Sequence, residues 1–243
     1  MLYLGDCLEI MQSIKDNSIN CIICDLPYGT TAIHWDKIID FKELWKQYNR
    51  ILKDNGNIVL FASGEFTYKL YESNISQYKY KLIWKKNVPT GMNSARYRPM
   101  KYYEEILIFQ KSNKCTYNPQ MKERIGEKKQ CYQYEHYYGG NTHIPNEIKK
   151  IKKKYDPDFV QPSDVLEFDV VPNRGNKFHP TQKPIELLEW LIKTYTNEGD
   201  IVLDNCMGSG STGVACKNLN RHFIGIEKDE KYFNIAKSRI LTD

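Results

Sequence analysis

Apolar residues along the chain fall into two blocks of short runs alternating with helical stripes, separated by a stretch that shows neither period. In the first block, residues 19–24 are a short apolar run of buried-strand type, ending in the turn-rich loop Asp25-Leu26-Pro27-Tyr28-Gly29. A helix follows from Asp40, with Glu43 at capping-box spacing and a stripe of Leu44, Trp45, Tyr48, Ile51 and Leu52 running to Asp54-Asn55-Gly56. Strands are predicted at 57–62, 80–84 and 105–109, the alternation of an α/β sheet. In the second block Pro184 opens an amphipathic helix over 185–195, and 197–200 is a turn. Residues 201–204 form a buried strand, 211–219 a helix and 222–227 another strand, and Asp229 is the N-cap of the last helix.

Between the blocks, residues 111–176 scatter Tyr, Asn, Pro and Lys without a period. A structureless loop that long is unusual inside a compact domain, so an inserted recognition region is expected there. The predicted organisation is therefore a first α/β half at 1–110, an inserted recognition region at 111–176 and a second α/β half at 177–243.

Composition narrows the class. The chain has 243 residues, 41% of them hydrophobic and 27% charged, with a mean hydropathy of −0.62. No apolar run approaches the ~20 residues that span a bilayer, and the first residues lack the pattern of a signal peptide. A cytoplasmic protein with no membrane partner is expected. Seven cysteines then read as reduced thiols. Cys21 and Cys24, the one close pair, would point to opposite faces of a strand and cannot share an ion, so no metal is expected.

The net charge of +5 is modest, but its distribution is uneven. No acid occurs between Glu72 and Glu104, while Lys79, Lys81, Lys85, Lys86, Arg96, Arg98 and Lys101 interleave with Tyr78, Tyr80, Trp84, Tyr97, Tyr102 and Tyr103. Cations among aromatics suit a phosphate backbone and unstacked bases, and Lys85, Lys86, Arg96, Arg98 and Lys101 are the candidate nucleic-acid contacts. A second basic block occupies 149–154; alone, a lysine run reads more readily as a solvated face, and the acid-free stretch tips the reading towards nucleic acid.

Two loops carry the chemistry. Residues 204–212, Asp-Asn-Cys-Met-Gly-Ser-Gly-Ser-Thr, join a strand to a helix through Gly208 and Gly210, where backbone can approach a ligand and a helix N-terminus offers free N–H groups. Glu227 closes the next strand about 20 residues on, the separation at which dinucleotide-binding folds place an acid on ribose hydroxyls. The loop lacks the Gly-Lys-Ser/Thr of a triphosphate site. Asp25-Leu26-Pro27-Tyr28 stands at the carboxyl end of a strand, where open α/β sheets bind ligands.

The second loop resembles the Asp-Pro-Pro-Tyr signature of the amino-methylating DNA methyltransferases. Residues 204–212 are similar to that family's Asp-Pro-Phe-x-Gly-Ser-Gly-Thr, and His179-Pro-Thr-Gln-Lys-Pro184 matches a motif that precedes it. The order, with the Asp-Leu-Pro-Tyr loop first, is that of the β class. The resemblance implies a Rossmann-like S-adenosylmethionine-dependent methyltransferase fold, α/β and circularly permuted, with a mostly parallel sheet. A strand at 3–5 would then lie beside the strand ending at Glu227, because chain ends of a domain often lie close together. Asp6 would contact the cofactor's adenine, although the residue type also suits a helix cap, and Cys7 would lie next to it.

The resemblance further assigns Asp204, Cys206, Gly208, Ser209, Gly210, Ser211, Thr212 and Glu227 to the cofactor. His179 would shape the pocket, and Thr181 and Lys183 would reach the methionine part. Asp25, Leu26, Pro27 and Tyr28 are the implied catalytic residues. The expected reaction is site-specific methylation of adenine N6 in double-stranded DNA, by base flipping and direct in-line transfer. The alternatives are cytosine-N4 methylation, methylation of RNA or a protein amide, and a catalytically weak DNA-binding relative. A homodimer and a cognate restriction endonuclease stay open as partners, and the expected setting is a bacterial or phage-infected cell.

Three departures from the family pattern matter. Leu26 replaces a proline, which leaves the backbone carbonyl but loosens the loop. Asn205 and Cys206 replace Pro-Phe, and Cys206 reads as a packing residue. No Pro-Cys dipeptide occurs, which argues against cytosine C5 methylation. His34, His136 and His222 read as surface or packing residues, whereas Trp35 and Asp36 either line the base entry or pack.

Overall fold

The computed structural model describes residues 1–29, 37–126, 156, 158–172, 178 and 182–242. They form two units, Met1–Asn118 with Ser163–Asp243, and Pro119–Pro162. The larger unit is an eight-stranded sheet between two layers of helices.

The strands in chain order are β1 (Leu2–Leu4), β2 (Ile19–Cys24), β3 (Leu52–Ala62), β4 (Tyr78–Thr90), β5 (Lys101–Gln110), β6 (Lys122–Glu123), β7 (Phe159–Val160), β8 (Val165–Glu167), β9 (Ile201–Asp204) and β10 (His222–Glu227). The helices are α1 (Cys7–Met11), α2 (Phe41–Ile51), α3 (Glu65–Ser73), α4 (Ile185–Tyr195), α5 (Ser211–Asn218) and α6 (Glu230–Leu241). The large sheet has the order β1-β10-β9-β2-β3-β5-β4-β8. Only β5 runs against its neighbours, pairing antiparallel with β3 and β4. The smaller unit contains the antiparallel pair β6 and β7.

Period-two alternation divides the buried residues between two cores. Ile22 and Cys24 of β2 pack with Leu44, Tyr48 and Ile51 of α2, Met11 of α1 and Phe66 of α3. Cys21 and Ile23 face the other layer, with Leu188 and Leu191 of α4, Ala215 of α5 and Ala236 of α6. The two cysteines thus lie on opposite faces, as their spacing requires. Helix α2 begins where expected, with Asp40 Oδ1 accepting from the N–H groups of Lys42 and Glu43.

The permuted order is visible in the backbone. β1 lies parallel to β10 with Tyr3 opposite Ile226, and the Gly5 N–H donates to the Glu227 carbonyl. On one side of the β9–β2 pair the chain winds through β10 to β1; on the other, β2 leads through α2 to β3. That reversal opens a crevice at the carboxyl ends of β2 and β9, the place where open α/β sheets hold ligands.

The structure departs from the sequence expectation in several places. β3 starts at Leu52 rather than 57 and slips register with β2 between Ile19 and Cys21. Helix α3 was not expected, α1 only through the alternative that Asp6 is a helix cap, and β8, inside the aperiodic stretch, joins the edge of the large sheet beside β4. A three-residue strand is too short to show a period. The lysine block at 149–154, with His34, Trp35, Asp36, His136, His179 and Thr181, lies outside the described residues.

Candidate active site

A cavity of about 1410 Å³ occupies the crevice. Its wall includes Asp6 and Cys7 after β1, residues 24–28 after β2, residues 204–209 after β9, and Glu227 at the end of β10. Ser211 and Thr212, in the first turn of α5, also line it. Gly210 does not. With φ at +79° it is the N-cap of α5, and a side chain there would meet Ala236 Cβ at 2.8 Å, so this glycine serves the packing of α5 against α6.

One half of the cavity is lined by a set of acids. Asp204 is buried; its Oδ2 accepts from the Thr212 hydroxyl at 2.7 Å and its Oδ1 from the Cys206 N–H at 3.1 Å, so it ties the loop to both its ends. Burial raises its carboxyl to about 6 despite these bonds. Glu227 accepts the N–H of Gly208 on Oε2 and of Asp229 on Oε1, each at 2.8 Å; burial still pushes it up. Asp6 caps α1 through the Leu8 N–H and pairs with Lys228 at 3.1 Å. Burial works against its charge, yet Lys228 and the N–H groups hold it below the usual range. Asp6 is thus a helix cap that also lines the cavity. Cys206 takes an N–H from Asn205 at 3.6 Å, and the neighbouring Cys24 thiol and burial push its own thiol well up, which suits packing and not nucleophilic attack.

Asp25 occupies the other half. The Tyr28 hydroxyl donates to Oδ1 at 2.7 Å and Lys183 Nζ to Oδ2 at 2.6 Å. The ring of Tyr28 stacks on Phe66 of α3 at 4.7 Å between centroids. Burial raises the Asp25 carboxyl, and Lys183 only partly offsets it because Glu104 stands nearby. Leu26 is buried in phase with Ile22 and Cys24, which explains how an apolar residue fits where the related signature has proline.

Two of the cations expected at a phosphate or cofactor are instead buried in this half. Lys86 is 5% exposed and donates to Glu104 Oε1 at 2.8 Å, so it is removed from the DNA contacts. It lies in phase with Leu82 and Trp84 on the core face of β4, a signal present in the sequence. Lys183 is 8% exposed and engaged by Asp25 and Glu104, not left open to the methionine part of a cofactor. Glu104, which motif reading missed, lies on β5 in phase with Ile106 and Ile108 and opposite Trp84.

The remaining expected DNA contacts are on the hairpin of β4 and β5. Arg96 and Arg98 are exposed, with Tyr97 88% exposed between them. Lys85 is exposed and paired to Glu167, and Lys101 is half-buried, donating to Ser63 and lying 4.9 Å from the ring of Tyr103.

The Asp204 shift gives a prediction. Its folded value of about 6 lies above the unfolded value of 3.8, so the native state holds the extra proton between them and wild-type stability falls across that window as pH rises. Asp204→Asn cannot titrate. Denaturant unfolding should show wild type losing stability relative to Asp204→Asn from about pH 4 to pH 6, with a constant difference above; a pH-independent difference would contradict the assignment.

Comparisons with known proteins agree with this geometry. A model of the DNA methylase family that covers N6 and N4 enzymes matches residues 19–238. The chain is 32% identical over 256 residues to the Type II methyltransferase M.HpaI of Haemophilus parainfluenzae, covering 98% of this chain and 73% of that one. It is 28% identical to M.HinfI of Haemophilus influenzae, covering 97% and 67%. Among solved structures, the M1.HpyAVI–SAM complex superposes with a TM-score of 0.66 at 29% identity, covering 100% of this chain and 99% of that one. The cytosine-N4-specific PvuII DNA methyltransferase gives 0.69 at 17% identity over 100% and 86%, a likeness of fold. Two loops meeting over one crevice, in the permuted order, with a family match that spans nearly the whole sheet, place this chain in the N6/N4 DNA methylase family.

Proposed function

We propose that this DNA methylase transfers a methyl group from S-adenosylmethionine to the exocyclic N6 of an adenine flipped out of double-stranded DNA. The observation that carries the reading is the meeting, in one cavity, of the Asp25 loop and the acid-lined loop that runs from Asp204. An acid at position 25 favours adenine, since the related cytosine-N4 enzymes more often carry serine there.

The donor set fits the cofactor. Asp6, Asp204 and Glu227 give that wall a negative bias, which suits a sulfonium cation and ribose hydroxyls and disfavours a polyphosphate. Each Glu227 oxygen takes one backbone N–H, leaving lone pairs for hydroxyl donors. When bound, S-adenosylmethionine supplies an electrophilic methyl group; everything else is done by the chain.

An adenine amino group is a poor nucleophile because its lone pair is delocalised into the ring. Asp25 Oδ1 and the Leu26 carbonyl accept its two N–H bonds, which localises the lone pair toward the methyl group. Asp25 takes the proton that the nitrogen sheds once the new N–C bond has formed. Its upward shift suits that role. Tyr28 must first release Oδ1, and its ring then stacks on the extruded base. The protruding tip with Arg96, Tyr97 and Arg98 contacts phosphates and unstacked bases. The Type II names of the relatives favour a cognate restriction endonuclease as genetic partner.

A labelled-methyl assay on duplex DNA followed by nucleoside analysis should yield N6-methyladenine. Asp25→Ala should abolish transfer while leaving cofactor affinity within about twofold. N4-methylcytosine as sole product would overturn the base assignment, and undiminished turnover of Asp25→Ala would remove Asp25 from the reaction. The double variant Arg96→Ala/Arg98→Ala should lower the slope of log K against log salt by about 2, since each lost phosphate contact releases about one counterion fewer. An unchanged slope would take the hairpin tip off the DNA.

A further inference from the structure

Sequence motifs assign Lys183 to the cofactor and Glu104 to nothing, yet the fold brings both to the reacting carboxylate. On one face of the sheet, at its carboxyl edge, Asp25 follows β2, Phe61 lies near the end of β3, Glu104 near the start of β5 and Lys86 on β4. Lys183, just before α4, descends onto this row. The result is a line of alternating charge: Lys86 Nζ 2.8 Å from Glu104 Oε1, Glu104 Oε2 3.2 Å from Lys183 Nζ, and Lys183 Nζ 2.6 Å from Asp25 Oδ2.

Lys183 Nζ donates to Asp25 Oδ2, faces Glu104 Oε2 at 3.2 Å and lies 4.9 Å from the centroid of the Phe61 ring, so two carboxylates and an aromatic face already surround it. Glu104 Oε2 has no hydrogen-bond partner among the described residues, so its 3.2 Å contact with Lys183 Nζ is one of charge, and the position of Lys183 is set by both carboxylates together.

Resting on the proposed reaction, we propose that Lys183 is a positioning residue for methyl transfer: it grips Oδ2 of Asp25, keeps that carboxylate ionised and turns Oδ1 toward the target amino group, while Glu104, braced by Lys86, holds Lys183 in place. Other groups facing Asp25 are Tyr28 on its own loop, Cys24 at the end of β2 and Asp204 on β9. Lys183 is the only cation among these neighbours. Replacing it leaves a buried carboxylate beside another, which favours the protonated acid and removes the acceptor. Glu104 acts with the opposite sign: neutralising it relieves repulsion on Asp25 and leaves Lys183 to Asp25 alone.

The test is the pH dependence of kcat with saturating S-adenosylmethionine and DNA, for wild type, Lys183→Met, Lys183→Arg and Glu104→Gln. The acid limb should move up by about one pH unit or more in Lys183→Met and down in Glu104→Gln. Near pH 7 kcat of Lys183→Met should fall about 10²-fold with cofactor Kd unchanged, and Lys183→Arg should restore the limb. A merely structural role would lower activity without moving the limbs in opposite directions. Coincident limbs, or a loss in Lys183→Met confined to cofactor Kd, would overturn the inference. Should Lys183→Met not fold, the downward shift in Glu104→Gln decides the matter alone. Absence of DNA methylation by wild type would instead refute the proposed reaction, and this inference with it.

Discussion

The arrangement rests on the parallel pairing of β2 with β9, Cys21 opposite Val202 and Ile22 opposite Leu203, which brings two loops far apart in sequence to one edge of the sheet. Neither loop makes a site by itself. The Asp204 loop can cradle a cofactor but offers nothing to activate an amino nitrogen, and the Asp25 loop offers acceptors but no methyl donor. Their separation is fixed by strand pairing, with buried Ile22 and Leu203 beside each other in the core. Because a nucleophile and a leaving group must be aligned closely for in-line displacement, such rigid registration is worth more than extra contacts on mobile segments.

The same edge explains why so many charges are tolerated out of water. A buried carboxylate is costly unless compensated, and removing one member of a buried pair leaves the other exposed to that cost. Here Lys86, Glu104, Lys183 and Asp25 alternate in sign, so the row carries no net charge. Its members shift accordingly. Burial alone would raise Glu104, but two flanking ammonium groups bring it down to about 2, whereas Asp25 at the end of the row has a single cation and goes up. One row therefore contains a carboxylate that stays ionised and another poised for proton traffic.

Much of this was legible in the sequence because the signals were long or chemically specific. The α2 stripe, the cap at Asp40, the 185–195 helix and the strand ending at Glu227 follow from periodicity and capping chemistry, and the two loops followed from residue types at strand ends. What escaped was short or out of character. Helix α1 has five residues and β8 three, too few to show a period. Lys86 was read by charge, as a DNA contact, and Lys183 by its motif, as a cofactor contact, whereas strand phase puts Lys86 with Leu82 and Trp84. Glu104 carried no motif, and only the pairing of β4 with β5 shows that it sits opposite Trp84 at the reacting edge.

Methyl transfer as proposed needs one cavity to hold both methyl donor and target base, with the Asp25 carboxylate between them and Lys183. The decisive measurement is a crystal structure with S-adenosylhomocysteine and a duplex containing the target site. An extruded adenine should then have N6 within hydrogen-bond distance of Asp25 Oδ1 and the Leu26 carbonyl, on the line from the cofactor sulfur. A sulfur lying away from Asp25, with no room for a purine between them, would contradict it.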